Sequence, residues 1–514
     1  MKTTPRPWPA AAVALCILSA AVCALPLGSA RQLAGQEPSG ATFLLGFGGK
    51  PSRSALDGAL TAMGCSLDFF HSEAGIATAK CPLGTPLSTS SAGLSKLGVG
   101  TVVQDFAVAS TQPAFTKLEA ETGVAAGSPN VSASASFFTG PILGDPNDRW
   151  WPYQWAPRSI GAPAAWSQGI NGKCVRVGVV DGSFGTLNPD LVNKFDLSVT
   201  KSFADIGFQV DTDEPHGQWV SGVIGAEANN GFSVAGVAYG STLIGVQVFG
   251  TLPSAPFSTI VQGILYAAER KDQGGAGADI INLSLSGTII RSDRSTRADA
   301  SGDALPLLNR VFAFANKNGV LVVAAAGNDA SNFDFQRSAL TLPCESPNVI
   351  CVAANAPLGI CPSCSSGDAI ICDDPPGLDF AGADYNRLAS YTNYGRAVDV
   401  TAPGGDFATF PAPCWADDLV ATTYPFGFTV WVAGTSFSAP HVSALAALYI
   451  QKAAMDQGAL ESELCAPGRT TTYVSPAEIK AAILRGAVLP PGTPGQMRNL
   501  YGAGIINVPR TLGL

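Results

Sequence analysis

Charged residues and histidines are scarce in this chain of 514 residues. Asp, Glu, Lys and Arg make up 13% of the sequence, the formal net charge is −9, and histidine occurs three times. This acidic and sparse charge argues against nucleic-acid binding, which needs clustered Lys and Arg. After residue 30 no apolar run reaches the roughly 20 residues that a membrane span needs. Any chemistry that uses an imidazole must therefore draw on one of three positions.

The N-terminus has the pattern of a secretory signal peptide. Lys2 and Arg6 precede an apolar stretch over residues 10–25, and small residues follow at 28–30. The apolar stretch meets Pro26 and is too short for a membrane anchor, which is the alternative. We therefore expect residues 1–30 to be removed on export and the protein to be secreted.

Residues 31–110 predict a small α+β domain. The patterns favour strands over residues 41–48, 65–70, 75–81 and 102–109, with helices over residues 52–63 and 92–97. This order is a split βαβ arrangement, which is typical of a ferredoxin-like fold. An ordinary accessory domain would show the same pattern.

A linker and one large domain follow. Residues 111–144 are rich in Ala, Gly, Ser, Thr and Pro and lack periodicity, so they predict a linker. Residues 145–514 contain β-branched runs that end at turn residues, as expected for buried parallel strands. Such strands need helices on both faces, and the predicted fold class is therefore a three-layer α/β domain with a parallel sheet.

One segment places a serine at the start of an apolar helix. Residues 434–441 are Gly-Thr-Ser-Phe-Ser-Ala-Pro-His, and the small apolar residues 442–448 predict a buried helix. A serine hydroxyl is a poor nucleophile at neutral pH. If Ser436 is a nucleophile, it needs a base, a group that orients the base, and donors for an oxyanion.

The three histidines are not equivalent candidates for the base. His71 lies in the small N-terminal domain, and His441 lies in the same helix as Ser436, where we expect it to pack or to form a hydrogen bond. His216 opens a segment with small residues at 217, 221, 222 and 225, which predicts a helix that packs closely on a sheet. His216 is therefore the predicted base.

A carboxylate and an amide follow predicted buried strands. Asp181 ends the β-branched run 174–180, and Asn328 ends the run 322–327. Active sites of open α/β sheets gather at the carboxyl ends of the strands. We therefore expect Asp181 to orient His216. For Asn328 the residues alone are also compatible with an Asn-Asp turn over residues 328–329.

At these residues the sequence resembles the subtilisin-like serine proteases. Six segments occur in the order found in that family: VGVVDGSFGTLNPDL, HGQWVSGVIGA, NNGFSVAGVA, INLSLSG, VVAAAGND and GTSFSAPHV. The resemblance implies a subtilisin-like fold and a serine endopeptidase that acts through an acyl-enzyme. Ser436 would be the nucleophile, His216 the general base and Asp181 the residue that fixes the imidazole tautomer, while the Asn328 amide would line the oxyanion hole.

The resemblance also implies a substrate-binding cleft in which a peptide adds as an extended strand beside two edge segments. The residues of these segments are Ser284, Leu285, Ser286, Gly287, Ala324, Ala325, Ala326 and Gly327. Ser286 stands where the family commonly has glycine, and Thr341 is expected at the rear of the primary pocket. Both would narrow the pocket and favour small or medium residues at P1.

By the same resemblance, residues 31–110 are an inhibitory propeptide that assists folding, and the linker contains the maturation site. The mature enzyme would begin near Asp145, act on polypeptides, be inhibited by its own propeptide and remain a monomer. Two alternatives stay open: a catalytically silent scaffold of the same fold, and a processing peptidase with one dedicated substrate.

The cysteines predict disulfides rather than a metal site. Eight lie in the large domain: Cys174, Cys344, Cys351, Cys361, Cys364, Cys372, Cys414 and Cys465. An even set in an exported chain favours disulfide bonds, and Cys65 can pair with Cys81 in the small domain. The close spacing of Cys361, Cys364 and Cys372 leaves a zinc site as the alternative. Residues 357–387, which hold these three, are predicted to be an inserted surface loop.

The chemistry itself needs no cofactor, but the resemblance implies a structural calcium ion. Its expected ligands are Asp190, Asn230, the carbonyls of Phe232 and Val234, and either Asp148 or Gln154. Ligation by oxygen alone suits a hard cation. An ordinary Asn-Gly turn over residues 230–231 is the alternative.

Overall fold

The computed structural model describes residues 40–91, 93–109, 115–116, 140–185, 188–204, 215–250, 254–290, 304–336, 339–358, 360–361, 371–372, 378–410, 413–466, 469 and 472–514, with backbone only at 109, 115–116 and 289–290. The predicted signal peptide and most of the predicted linker lie outside these ranges. No helix within them is long and apolar enough to cross a membrane.

The strands, in chain order, are Ala41–Phe47 (β1), Ser66–His71 (β2), Ile76–Cys81 (β3), Val99–Gln104 (β4), Ala107–Ala109 (β5), Phe115–Thr116 (β6), Arg176–Asp181 (β7), Lys201–Ser202 (β8), Thr242–Gln247 (β9), Ser254–Pro256 (β10), Ile280–Leu283 (β11), Gly287–Ile290 (β12), Leu321–Ala325 (β13), Ala339–Leu342 (β14), Val349–Leu358 (β15), Asp384–Leu388 (β16), Val400–Pro403 (β17), Val420–Tyr424 (β18) and Phe428–Val432 (β19). The α-helices are Arg53–Thr61 (α1), Trp155–Ser159 (α2), Ala162–Trp166 (α3), His216–Gly225 (α4), Phe257–Ala268 (α5), Ala304–Lys317 (α6), Thr435–Asp456 (α7), Glu461–Leu464 (α8), Pro476–Gly486 (α9), Pro494–Tyr501 (α10) and Val508–Leu512 (α11).

The small N-terminal domain is a four-stranded antiparallel sheet in the order β2-β3-β1-β4. Helix α1 begins after Ser52, whose hydroxyl accepts a hydrogen bond from the Ala55 N–H and so caps the first turn. The second predicted helix, over residues 92–97, is reduced to a 3-10 turn at Ser95–Leu97. The strand order is nevertheless the one expected for the split βαβ arrangement.

The large domain is built on an eight-stranded sheet. Its order is β16-β15-β13-β11-β7-β9-β8, with β17 also paired to β15. All of these pairs are parallel except β15 with β16. The predicted parallel sheet is confirmed, and β7 lies in its interior between β11 and β9.

Alternate residues along each strand face different helices, which produces the three layers. Val323 packs in the core formed with α4, α7 and α9. Val322 and Ala324 face the other core, with α5 and α6. Helix α7 is buried over almost its whole length because it crosses beneath the centre of the sheet.

The predicted insertion at residues 357–387 is not entirely a surface loop. Its last residues form β16, which pairs antiparallel with the end of β15, from Asn355 opposite Leu388 to Leu358 opposite Asp384. The segment therefore adds a strand to the edge of the main sheet. An edge strand is hard to foresee from sequence because Asp384–Leu388 has no apolar alternation.

Candidate active site

Asp181 and His216 meet at the carboxyl end of β7. Asp181 is the last residue of that strand and is 1% exposed, and its Oδ1 lies 2.7 Å from Nδ1 of His216. The same oxygen accepts the N–H of Gly182 at 2.6 Å. His216 opens helix α4, as predicted, although its ring is mostly buried. Its Nε2 has no hydrogen-bond partner among the described residues.

Ser436 lies in the first turn of α7 and is fully buried. Its hydroxyl donates to the carbonyl oxygen of Ser284 at 3.3 Å, and the Ser284 hydroxyl donates to the Ser436 carbonyl at 2.6 Å. The next residue, Phe437, has its ring centroid 6.0 Å from that of His216. The structure therefore gathers Asp181, His216 and Ser436 in one region, with the serine hydroxyl directed at Ser284.

Asn328 follows β13 and faces the start of α7. Its Oδ1 accepts two hydrogen bonds from Thr435, one from the backbone N–H at 2.9 Å and one from the hydroxyl at 2.8 Å. Because both Thr435 donors bind the oxygen, the NH2 group of the Asn328 amide points away from Thr435. Sequence reasoning missed the role of Thr435, although Thr435 lies directly before the predicted nucleophile.

The other two histidines have structural partners. Nδ1 of His441 lies 2.7 Å from the carbonyl oxygen of Phe437, and burial lowers its pKa to about 4. This matches the expectation that His441 packs and forms a hydrogen bond. His71 contacts Glu269 of the large domain, with Nε2 and Oε2 2.7 Å apart.

The predicted substrate segments have different environments. Residues 284–287 continue from the end of β11 and lead into β12, next to Ser436. Ala324 lies inside the sheet, opposite Leu283 on one side and Cys351 on the other. Ala326 donates its N–H to Val352 at 2.9 Å. β15 therefore pairs with one side of this backbone, while the pairing with β11 on the other side ends at Ala324, so the assignment of residues 324–327 to a substrate-binding edge stays a prediction.

The structure also identifies a further edge of the cleft, which the sequence analysis missed. Strand β10 pairs antiparallel with β5 from the N-terminal region, with Ala255 opposite Val108. A Cβ placed on Gly287 would lie 2.9 Å from a side-chain methyl of Val108, so β5 also contacts the Ser284–Gly287 segment. An extended chain thus lies between the two segments. The pairing links residues far apart in sequence, and no local pattern indicates it.

The predicted calcium ligands gather around the loop at residues 229–234. Asp148 accepts the N–H of Asn229 at 2.7 Å, and Asp190 accepts the side-chain amide of Asn230 at 2.9 Å and the N–H of Val234 at 3.1 Å. Burial raises the pKa of Asp148 to about 6 and that of Asp190 to about 8. The negative charge of Glu227 raises both pKa values further.

Two of the other predicted ligands are already engaged. The Phe232 carbonyl accepts the N–H of Arg149 at 3.3 Å. Gln154, the alternative to Asp148, pairs with the backbone of Ala235, accepting at 2.8 Å and donating at 3.1 Å. Of the two alternatives, Asp148 is the one that lies close to the acidic residues Asp190 and Glu227.

The described cysteines form disulfides, as predicted. The bonds join Cys65 to Cys81, Cys174 to Cys465, Cys344 to Cys351 and Cys361 to Cys372. Cys414 is also disulfide-bonded, and Cys364 lies outside the described residues. The sulfurs of Cys361, Cys372 and Cys414 lie near the carboxylate of Asp417. As disulfide sulfurs they are not the thiolates that a zinc site requires.

A parallel sheet with an Asp-His pair at a strand end and a serine in the buried helix beside it is the arrangement of a serine-type peptidase. The chain belongs to the subtilase family, whose sequence model matches residues 172–504. The family and the fold class predicted from the sequence are both confirmed, and the class of enzyme is serine-type endopeptidase.

Relatives and solved structures agree with this assignment. The chain is 27% identical over 344 residues to thermitase of Thermoactinomyces vulgaris, covering 65% of this chain and 97% of thermitase. It is 30% identical over 306 residues to the thermophilic serine proteinase of Bacillus sp. (strain AK1), covering 59% of each, so the match spans about three fifths of that relative.

A crystal structure of the epidermin leader peptide processing serine protease from Staphylococcus aureus matches with a TM-score of 0.63 and 17% identity, covering 93% of this chain and 98% of that one. At this identity the likeness concerns the fold alone.

Proposed function

We propose that this chain is a secreted serine endopeptidase, made as a zymogen, in which Asp181, His216 and Ser436 form the catalytic triad. The observation that carries the proposal is the hydrogen bond between Asp181 and Nδ1 of His216. It leaves Nε2 of His216 unpaired next to the first turn of the helix that bears Ser436. That is the arrangement a general base needs.

In this mechanism Asp181 sets the tautomer of the imidazole. Nδ1 of His216 keeps its proton and donates a hydrogen bond to Asp181, so Nε2 is the basic nitrogen. Rotation of the Ser436 hydroxyl away from Ser284 directs its proton toward Nε2. The serine oxygen attacks the scissile carbonyl as His216 takes the proton, and His216 then returns the proton to the leaving amine. Asp181 stabilises the imidazolium between these steps.

The oxyanion donors would be the side-chain NH2 of Asn328 and the backbone N–H of Ser436. Thr435 supports the first, because its two hydrogen bonds engage the Asn328 oxygen. The second belongs to the first turn of α7, where N–H groups have no partner within the helix. Preorganised donors of this kind stabilise the tetrahedral intermediate without having to reorient during the reaction.

We infer that the N-terminal domain is the inhibitory propeptide, and its contacts with the large domain support this. Leu44, Ile76 and Val103 pack in one core with Leu307 of α6. The Arg310 guanidinium donates to the carbonyl of Phe47 at 3.0 Å. An accessory domain that is merely joined to the enzyme would not need to share a hydrophobic core with α6.

We propose that the segment after this domain enters the cleft and is cut there. β5 pairs with β10, and β6 pairs with β19, placing Thr116 opposite Trp431, a few residues before Ser436. The described strands on either side of residues 110–114 thus both pair with the large domain, β5 with β10 at the cleft and β6 with the strand that precedes α7. We infer a first cut within residues 110–114, upstream of the start near Asp145 expected from the sequence.

We also propose a structural calcium ion held by Asp148, Asp190 and Asn230. Two buried carboxylates with raised pKa values, close to a third acidic residue, are costly to ionise without a cation. Their oxygen donors suit Ca2+. The ion would stabilise the loop at residues 229–234, and the catalytic steps do not depend on it.

Active-site labelling tests the proposed nucleophile. A fluorophosphonate probe reacts with a serine only when a neighbouring base activates it. We expect mass spectrometry of the labelled protein to find the adduct on Ser436, with no adduct in the His216→Ala variant. An adduct on another serine, or labelling that persists in His216→Ala, would contradict the proposed triad.

A further inference from the structure

The carbonyl group of the proposed nucleophile lacks the partner that a helix normally provides. Ser436 lies in the first turn of α7, so its carbonyl oxygen would ordinarily accept the N–H of residue 440. That residue is Pro440, which has no N–H and whose ring crowds the carbonyl four residues earlier. Because Ser436 is fully buried, its carbonyl needs a donor from outside the helix.

A serine hydroxyl at the end of a strand supplies that donor. Ser284, directly after β11, donates its hydroxyl to the Ser436 carbonyl at 2.6 Å. The backbone carbonyl of Ser284 in turn accepts the Ser436 hydroxyl at 3.3 Å. Ser284 is 1% exposed, so solvent has little access to either contact. The main chain of the nucleophile is thus held against the end of β11 by one side chain.

Two further buried side chains extend this contact into a series of hydrogen bonds that runs back to α7. The amide NH2 of Asn282 donates to the Ser284 hydroxyl at 2.9 Å, and the hydroxyl of Ser443 donates to the Asn282 oxygen at 2.9 Å. Asn282 and Ser443 are both 0% exposed. Each hydroxyl has one proton, so the bonds all point from Ser443 toward Ser436. Bonds aligned in this way polarise and strengthen one another.

Asn282 gives this series a rigid anchor. It lies within β11, with Val179 of β7 opposite on one side and Val323 of β13 on the other. A carboxamide in a buried strand is costly unless its donors and acceptors are paired. A helical serine often bonds back to the carbonyl four residues earlier, whereas Ser443 reaches across to the sheet. The pair therefore fixes α7 against the sheet about two turns after Ser436.

We propose that Ser284, Asn282 and Ser443 are positioning residues for the nucleophile, which hold its main chain in the place that catalysis needs. The inference rests on the proposed function of Ser436. This residue must direct its hydroxyl at the scissile carbon and its N–H at the oxyanion, and small displacements of either group lower the rate steeply. With no helical bond to its carbonyl, Ser436 depends on Ser284 for that precision.

The experiment separates the rate per active site from the number of intact sites. Mature enzymes are titrated with a fluorophosphonate probe, and kcat and KM are measured per titrated site on one peptide. We expect Ser284→Ala to lower kcat about tenfold and Ser443→Ala about threefold, with KM little changed. Ser284→Thr keeps the hydroxyl and should keep most of the rate. A merely structural role would lower the number of titrated sites and leave kcat per site unchanged.

Ser438→Ala is the matched control. Ser438 lies on the same helix and is 0% exposed, but its hydroxyl has no hydrogen-bond partner among the described residues. Its replacement removes a buried hydroxyl close to Ser436 without breaking the series, so kcat per titrated site should not change.

A double variant tests whether the three side chains act as one series. Once Ser284→Ala has removed the last link, Ser443→Ala should cost nothing further in kcat. Losses that multiply in the double variant, an unchanged kcat in Ser284→Ala, or an equal fall in Ser438→Ala would overturn the positioning proposal alone. If the native enzyme neither reacts with the probe nor cuts the peptide, the proposed function fails, and this inference fails with it.

Discussion

Thr435 holds the carboxamide oxygen of Asn328 with two hydrogen bonds, from its N–H at 2.9 Å and from its hydroxyl at 2.8 Å. The same hydroxyl accepts the N–H of Gly327 at 3.0 Å. Thr435, the residue before Ser436, thus connects the end of β13 to the first turn of α7. If Asn328 is an oxyanion donor, Thr435 is the residue that positions it.

The first prediction concerns this positioning. Thr435→Val keeps the shape of the side chain but removes the hydroxyl, so the Asn328 amide loses one of its two donors. We expect kcat to fall about tenfold, the value of one hydrogen bond of about 1 to 1.5 kcal/mol, with KM little changed. Thr435→Ser restores the hydroxyl and should restore most of the rate. Steady-state kinetics on one peptide decide this, and a Thr435→Ser enzyme as slow as Thr435→Val would refute the positioning role.

The second prediction concerns the tautomer of His216. Asp181→Asn keeps the size of the side chain but no longer favours the proton on Nδ1, so kcat should fall by about 10⁴-fold. His441→Gln is the matched control, because His441 is buried, bonds to Phe437 and has a pKa lowered to about 4. It should lose thermal stability but keep kcat. Similar losses of kcat in both variants would mean that folding rather than catalysis is affected.

The sequence was informative where chemistry is local. Asp181, His216 and Ser436 each stand beside a strand end or a helix start that the hydrophobic pattern predicts, and the structure has those elements. The pairings that form the cleft were not predictable, because β5 and β10 lie far apart in the chain.

The third prediction concerns calcium. In a Ser436→Ala background, which prevents autolysis, CaCl2 should raise the melting temperature relative to EDTA, and Asp190→Asn should abolish the increase. Burial raises the pKa of Asp190 to about 8, so without a cation the carboxyl is mainly protonated at pH 6. The calcium effect should therefore grow from pH 6 to pH 9, since the ion binds the charged form.

Gln154→Ala is the control for that experiment. Gln154 pairs with the backbone of Ala235, so its loss should lower stability without removing the calcium effect. A calcium response that survives Asp190→Asn but disappears in Gln154→Ala would show that the proposed ligand set is wrong.

The fourth prediction concerns Asp417, beside the cysteine-rich segment. Its Oδ2 accepts the N–H of Cys372 at 2.8 Å, while its Oδ1 is buried without a partner among the described residues. Burial raises the pKa of Asp417 to about 7, and the neighbouring Asp418 adds to this. The folded state therefore favours the protonated carboxyl. Its contribution to stability is full below about pH 4, where the unfolded chain is also protonated, and is lost as the pH rises through 7.

Asp417→Asn is neutral at every pH and keeps one acceptor for the Cys372 N–H. In the Ser436→Ala background we expect it to raise the melting temperature at pH 9 relative to the native residue, with a gain that shrinks as the pH falls from 7 to 4 and is small below about pH 4. Asp456→Asn, which changes an exposed carboxylate, should not show this pH dependence. A variant that is less stable than its parent at pH 9 would indicate that the charged carboxylate has a stabilising partner there.

The most direct test of the account is maturation by the chain's own active site. Native protein and Ser436→Ala are expressed with secretion in a protease-deficient host, and intact mass and N-terminal sequencing are compared. The account predicts that the native product begins just after a cut within residues 110–114, while Ser436→Ala retains its N-terminal domain. Identical processing of both proteins would contradict it, because the cut would then not depend on Ser436.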